Sequence, residues 1–357
     1  MSVLSFCPRF AALGWLYLFL ACAVAPVKAA PVDLLNSPAP ENPQAIRAVL
    51  LDVTRAGDRL VTVGERGLVL TSTDNGRAWQ QAKVPVSVAL TRVRFADARQ
   101  GWAVGHSGVV VHSADGGVTW SRQLDGLAAA QLELQAAALT SDERRKNNAE
   151  RLVSEGADKP WLDLLFTDAQ HGWLVGAYGL FFSTEDGGLT WKSRMGDIDN
   201  PGGLHLYAIR KLGDELYIAG EQGALFQSDA DGRFHRLQTP YQGSFFGLSV
   251  SGEGNLLAYG LRGNAWRRSV MAGDWQKISL GNEVTLTADL LTAAGGLLLL
   301  ADEAGRLSLS RDDGVTFKPL TVNAKGYVAG LAQAADGALI VASGRGVQRI
   351  EAQEVRP

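Results

Sequence analysis

SADGGVTW at 113–120 and TEDGGLTW at 184–191 are nearly the same eight letters, written twice seventy-one residues apart. Neither stretch contains a histidine or a cysteine, so the repetition points to architecture before chemistry. Two further copies, STDNGRAW at 72–79 and SRDDGVTF at 310–317, complete a pattern S/T-x-D-x-G-x-x-W/F. A short carboxylate can accept hydrogen bonds from the N–H groups of its own turn, and the glycine permits the reversal that follows. Asp74, Asp115, Asp186 and Asp312 are therefore read as staples of strand-to-strand turns. Trp79, Trp120, Trp191 and Phe317 are read as the aromatic residues that pack between neighbouring units.

A second unit, G-x-x-G, recurs as GERG (64), GHSG (105), GAYG (176), GEQG (220) and GLRG (260), then degenerates to DEAG (302) and SGRG (343). The spacings are 41, 71, 44, 40, 42 and 41, so seven units follow one another and one interval is long by about thirty residues. Each unit has the same grammar. A β-rich run such as TRVRF (91) or WLDLLF (161) is followed by a polar turn and a second run such as GWAVG (101) or LYIAG (216). The G-x-x-G turn comes next, with glycine the residue that tolerates positive φ. A third run, VVVHS (109) or LFFST (180), leads to the fourth strand at the tryptophan. Four short strands per forty-odd residues describe one propeller blade, and seven blades close a ring. The fold class expected is all-β, a seven-bladed β-propeller of four-stranded antiparallel blades. Units four and five depart from the pattern, since QSDADGRF (227–234) has altered spacing and RRSVMAGDW (267–275) lacks the Ser-x-Asp element.

These turns resemble the Asp box, or bacterial neuraminidase repeat, of sialidase-like propellers, and the resemblance covers nearly the whole chain after residue 30. A narrower likeness lies upstream of two boxes. FADARQGWAVGHSGVVVHSADGGVTW (95–120) and FTDAQHGWLVGAYGLFFSTEDGGLTW (166–191) both read F-x-D-x-x-x-G-W-x-V-G-x-x-G before the third strand and the box. This resembles the photosystem II assembly and stability factor family. The resemblance implies a secreted or lumenal seven-bladed propeller that helps to assemble a membrane protein complex and catalyses no reaction. The family's name carries photosynthesis with it, yet the likeness does not make the source of this chain photosynthetic.

The long interval falls between Gly126 and Pro160, between units two and three, and is expected to be a helical hairpin inserted between blades 2 and 3. AAAQLELQAAAL (128–139) and SDERRKNNAERLVSEG (141–156) are rich in helix formers, whereas their flanks are rich in β-branched residues and glycine. Thr140 with Glu143 suggests a capping box and Gly156 a stop. The insertion reads either as a solvated hairpin or as a docking element. In a four-stranded meander it shares a rim with the G-x-x-G turns, and the boxes emerge on the opposite face. On that rim the expected partner-binding residues are Arg66, His106, Tyr178, Gln222, Arg262 and Arg345, with Glu65, Glu221 and Glu303 between them and Arg92 near the mouth.

The last unit offers three strands, YVAGLAQ (327), ALIVAS (338) and VQRIE (347). An open edge invites pairing with other chains, so a segment within 31–46, nearest PVDLLN (31–36), is expected to supply the missing outer strand. Residues 1–29 read as a signal peptide, and 30–357 as a single propeller domain. Arg9 precedes the apolar run Phe10–Ala25, and VKA (27–29) offers small residues for cleavage. An uncleaved anchor is the alternative, and FLAC (19–22) is only a weak lipoprotein site. The location expected is exported, in the periplasm.

Both cysteines, Cys7 and Cys22, fall inside that leader, which leaves no thiol or disulfide chemistry after it. Without residues 1–29 there are 32 basic and 37 acidic residues, a net of −5 that argues against a nucleic-acid partner. His106, His112, His171, His205 and His235 are scattered without a metal-ligand spacing. G-x-x-G between strands lacks the following helix whose N-terminus would hold phosphate. No metal and no cofactor are expected. A sialidase would need a carboxylate pair or tyrosine nucleophile and three arginines on its substrate. The F/Y-R-I-P motif of sialidases is absent, and Arg47 in AIRAV is a poor match. The reading is therefore a monomeric, non-catalytic propeller that binds a protein partner, an envelope membrane protein or complex. A glycoside hydrolase or a passive carbohydrate- or peptide-binding module is the alternative, because fold does not fix function.

Overall fold

The computed structural model describes Ser2 and residues 33–269, 273–292 and 296–355. Apart from Ser2, the expected signal peptide and its cleavage point lie outside the described residues. Seven antiparallel sheets follow in chain order, here named blades A to G. Their inner strands are Leu50–Ala56, Leu90–Phe95, Trp161–Phe166, Leu206–Leu212, Phe245–Val250, Leu286–Leu291 and Val328–Gln333. Blades A to F have four strands in meander order and blade G has three.

The ring is held by seven apolar clusters, one at each blade interface among the described residues. The second strand of a blade faces a neighbour on both sides, so it reads as an unbroken apolar run instead of alternating. GWAVG (101–105), LLAYG (256–260) and LIVAS (339–343) are buried at every position. Closure joins Ile340 and Ala342 of blade G to Val53, Leu60 and Leu70 of blade A.

Among the described residues the N-terminal segment supplies no fourth strand to blade G. Pro31 and Val32 lie outside the described residues, and 33–46 enters no sheet. Pro38, Pro40 and Pro43 remove the N–H groups that a ladder needs. The segment instead straps the rim. Leu34 accepts from Ser87 N at 2.8 Å, Ala39 N donates to Val84 O at 3.0 Å, and Arg122 reaches Leu35 O at 2.6 Å. The segment then turns back, and the 3-10 turn Ala45–Arg47 packs against the outer strand Gly346–Ile350 of blade G. The strap thus spans the seam where the ring closes, by loop packing instead of by strand addition.

All seven inner strands carry a bulge at the same height. Each register shift leaves one residue unpaired, namely Leu51, Thr91, Leu162, Tyr207, Phe246, Thr287 and Ala329. A bulge bends the strand and re-aims the extra side chain. Here all seven line one cavity, of about 390 Å³, at the mouth of the central channel.

Two helices, α1 (Gly126–Ala138) and α2 (Glu143–Glu155), fill the connection between the strands Ser121–Leu124 and Trp161–Phe166. The N-cap of α2 is Asp142, whose carboxylate accepts from Arg145 N at 3.1 Å. Thr140 instead bonds Ala137 O at 2.9 Å, closing the end of α1, so the expected Thr140–Glu143 capping box does not form. Asp begins the helix one residue before Glu143 and already satisfies the exposed N–H. Gly156 ends α2 with φ 79°.

Candidate functional site

The box turns lie on the face opposite the helices, and their acids are committed to backbone. Asp115 accepts from Val118 N and Thr119 N, both at 3.0 Å, and Asp186 and Asp312 each accept from the N–H four residues on at 2.9 Å. Asp74 holds Ala78 N at 2.9 Å. In return the turns latch the blades together. Arg59 of blade A donates to the carbonyls of Asp115 and Gly116 of blade B, at 2.8 and 2.9 Å. Trp102 and Gln123 of blade B reach Gly187 O of blade C, Arg267 reaches Asp313 O, and Arg349 of blade G reaches Asn75 O of blade A. Blade D keeps the device despite its altered spacing: Asp229 accepts from Asp231 N and Arg233 N at 2.9 Å, and Arg194 donates to Gly232 O. The box aromatics sit where the sequence puts them, Trp120 between blades A and B, Trp191 between B and C, Phe317 between E and F, and Trp79 against the A–G seam.

Hydrogen bonds from the Thr190 hydroxyl and N–H lower the carboxyl of Asp186 to about 2, and the Thr316 hydroxyl does the same for Asp312. The N–H groups of His171 and Gln170 hold Asp168 at about 2 as well. These acids bind protons more weakly when folded than when unfolded. Their contribution is therefore complete above about pH 4, the ordinary range of an unfolded aspartate, and is lost as pH falls towards 2. Urea unfolding at pH 6, 4, 3 and 2.5 should show stability falling mainly below pH 4, and Asp186→Asn with Asp312→Asn should flatten that fall.

On the other face, the third residue of each G-x-x-G turn is left-handed, with Arg66, Ser107, Tyr178, Gln222 and Arg262 at φ of 53–57°, and four of these five turns, all but Gly220–Gly223, are 3-10. The second glycine is also at positive φ. The first glycine is extended, and its reason is proximity, since a Cβ on Gly64 would stand 2.1 Å from Val49 O. Arg66, Tyr178, Gln222 and Arg262 thus occupy equivalent positions, whereas His106, Glu65 and Glu221 precede that position by one. Arg66, His106, Gln222, Arg262 and Arg345 are exposed, and Tyr178 is 51% exposed.

α1 and α2 are docked against blade C. Glu133, 1% exposed, accepts both arms of Arg145 at 2.8 and 2.9 Å and is bonded by the Ser193 hydroxyl. Ala129, Leu132, Leu152 and Met195 join the cluster around Trp161 and Leu180. Between α2 and the loop 195–203 lies a cavity of about 470 Å³, walled by Arg144, Asn148, Arg151, Tyr178, Met195 and Asn200. Lys159 stands over the Tyr178 ring at 5.0 Å. From Tyr178, rings continue to His205 at 4.8 Å, to Tyr207 at 6.2 Å and to Phe246 at 5.1 Å, which brings the track to the channel mouth.

Below the mouth is a charge cluster that the sequence reading missed apart from Arg92. Asp163 accepts from Ile209 N at 3.1 Å and Arg210 Nη1 at 2.6 Å. Asp52 likewise takes Val93 N at 3.0 Å and Arg94 Nη1 at 2.5 Å, so two blade pairs use the same clamp. Arg92 lies 3.8 Å from Asp52 and 4.0 Å from Asp163, and donates to Ala329 O at 3.1 Å. Arg210 faces Asp289 at 3.9 Å, and Asp289 accepts the Tyr259 hydroxyl at 2.6 Å. Burial opposes ionisation of Asp163, yet Arg210, Arg94 and Arg92 hold its carboxyl below the usual range. Burial, with Asp289 alongside, pushes the Tyr259 phenol well up. Three arginines meet three aspartates, a plug of side chains whose formal charges balance, and Arg92 lines both the mouth and the cavity of about 320 Å³ beneath it. The signal in the sequence was a charge inside a buried β run, LLDV at 50–53 and WLDL at 161–164. Among the described residues no group of three or more His, Cys, Asp or Glu side chains is placed to hold a metal ion.

A family model described as photosynthesis system II assembly factor YCF48 matches residues 71–145 and 142–240, a stretch from the end of blade A through the helices to blade D. The photosystem II assembly lipoprotein Ycf48 of Synechococcus sp. (strain CC9902) is 25% identical over 186 residues, 52% of this chain and 44% of that one. The chain thus spans less than half the length of that relative. A solved structure of YCF48 bound to D1 peptide superposes with a TM-score of 0.63 over 86% of this chain and 94% of its own, at 15% identity. A streptogramin B lyase superposes as well, with a TM-score of 0.65 at 11% identity over 89% of this chain and 99% of its own, so the ring alone does not select an activity. With four Asp boxes and seven blade interfaces the chain is a seven-bladed Asp-box β-propeller, and from the end of blade A to blade D, across the helical insertion, it is similar to the photosystem II assembly factor family.

Proposed function

We propose that this chain is a non-catalytic, exported accessory factor that binds a protein partner while a membrane or envelope complex is assembled. The observation that carries the reading is the helical insertion, which interrupts one blade connection, docks through the buried Glu133–Arg145 pair and opens a cavity on the G-x-x-G rim. A rigid ring holds such loops in place at little ordering cost on binding. The family match spans this insertion, and a solved relative is bound to a peptide, which supports a polypeptide as the partner. Arg66, His106, Tyr178, Gln222, Arg262 and Arg345 form the proposed contact rim, with Arg92 at its centre. Export is supported by the apolar run at Phe10–Ala25 and by the relative's being named a lipoprotein. Among the described residues no helix is long and apolar enough to cross a membrane.

Recovery of membrane partners by immobilised protein is expected to drop at least tenfold when residues 127–158 are deleted. Because the deletion uncovers Trp161 and Leu180, the exposed pair Arg144→Glu and Arg151→Glu is the control that keeps the fold, and it should give the same loss. Unchanged recovery with both variants would count against the docking role.

A further inference from the structure

The bulge ring at the channel mouth has the chemistry of a side-chain socket. Four of its seven residues are large and apolar or aromatic, with Tyr207 and Phe246 meeting edge to face at 5.1 Å. Thr287 and Ala329, in the adjacent blades F and G, leave one side of the ring recessed, Thr91 stands between Leu51 and Leu162, and the cavity they line is about 390 Å³. Tyr327 stands at its lip, 46% exposed. Its floor is saturated: Arg92, the only cation of the lining, is matched by Asp52 and Asp163 and bonded to Ala329 O. The one remaining charge of the lining is the exposed carboxylate of Glu303, which has no ion-pair partner among the described residues. A neighbouring acid, Glu221, lies against Tyr207. An apolar recess of this size, with one charged group at its edge, is what recognition sites generally offer a single bulky group.

We propose that the ring takes one large apolar or aromatic side chain of an extended partner segment, with a lysine or arginine beside it in that segment set against Glu303. This deepens the protein-binding reading above and rests on it, but it assigns the specificity to the channel mouth instead of to the helices. Glu303 supplies charge selection because its field is not cancelled by the plug, and opposite charges at a rim fix register more than they add affinity. The bulges supply rigidity, since each is anchored in a ladder on both sides, so the socket is formed before the partner arrives.

The test is selection from a phage-displayed library of random dodecapeptides on the full purified protein. Wild type should enrich sequences in which Phe, Tyr, Trp or Leu lies within two positions of Lys or Arg. The Glu303→Lys variant should exchange that cation for Asp or Glu, and Phe246→Asn and Thr287→Trp, which respectively open and fill the socket, should weaken the selected peptides at least tenfold with a thermal midpoint near wild type. Leu189→Ala, in an exposed Asp-box turn on the opposite face, should leave peptide affinity unchanged. No enrichment, an unchanged charge preference in Glu303→Lys, or equal affinity in both socket variants would overturn the proposal. Loss of membrane partners in the helix variants alongside intact recovery in the socket variants would leave the rim reading standing and remove the socket.

Discussion

Asp163→Ala is expected to cost about 3–5 kcal/mol of folding stability, the scale for removing one member of a buried ion pair. Asp163 is 1% exposed and lies where blades C and D meet the channel. Its loss strips Arg210 of its closest partner and leaves Arg94 and Arg92 with Asp52 alone nearby. It also leaves the N–H of Ile209 without its acceptor. Asp163→Asn keeps an acceptor there but not the charge, so it should fall between wild type and Asp163→Ala. The decisive measurement is a double-mutant cycle in urea. Asp163→Leu combined with Arg210→Met should be less damaging than Asp163→Leu alone, because the unpaired charge is removed with its partner. A double variant as unstable as the sum of the two singles would show that the plug is not a coupled unit.

Trp102→Ala should be of similar size, about 3–5 kcal/mol for truncating a fully buried tryptophan. Trp102 stacks on Phe166 of the next blade with centroids 3.6 Å apart, and its Nε1 donates to Gly187 O in that blade's box turn. The side chain therefore joins blades B and C twice, by area and by hydrogen bond. Trp102→Phe keeps much of the stack and drops only the latch, and about 1 kcal/mol is the ordinary net worth of such a bond. Urea midpoints of the two variants separate these contributions. A Trp102→Phe loss as large as that of Trp102→Ala would mean that the hydrogen bond, not the stacking, holds the interface.

The ring was legible because its punctuation is local. A box acid needs only the N–H groups of its own turn, and a second strand buried on both sides writes itself as GWAVG or LIVAS in consecutive letters. The helices were legible for the same reason, from composition over two turns or more. Their cap was misplaced by two residues because Thr140 and Asp142 both suit the position, and only the path of the chain chose between them. The strap was misread because a missing strand suggests strand addition, whereas three prolines in 38–43 make loop packing across the seam the affordable closure.

What the letters alone determined is everything with short range: the number of blades, the turns, the acids that staple them and the place of the insertion. What only the tertiary structure decided is every group whose partner lies in another blade. Asp163 and Arg210 are 47 residues apart, Arg349 and Asn75 are 274 apart, and the seven bulge residues meet solely because the ring closes. Sequence spacing carries no record of such meetings, since a closed circle brings together side chains whose neighbourhood depends on the curvature of all seven sheets at once.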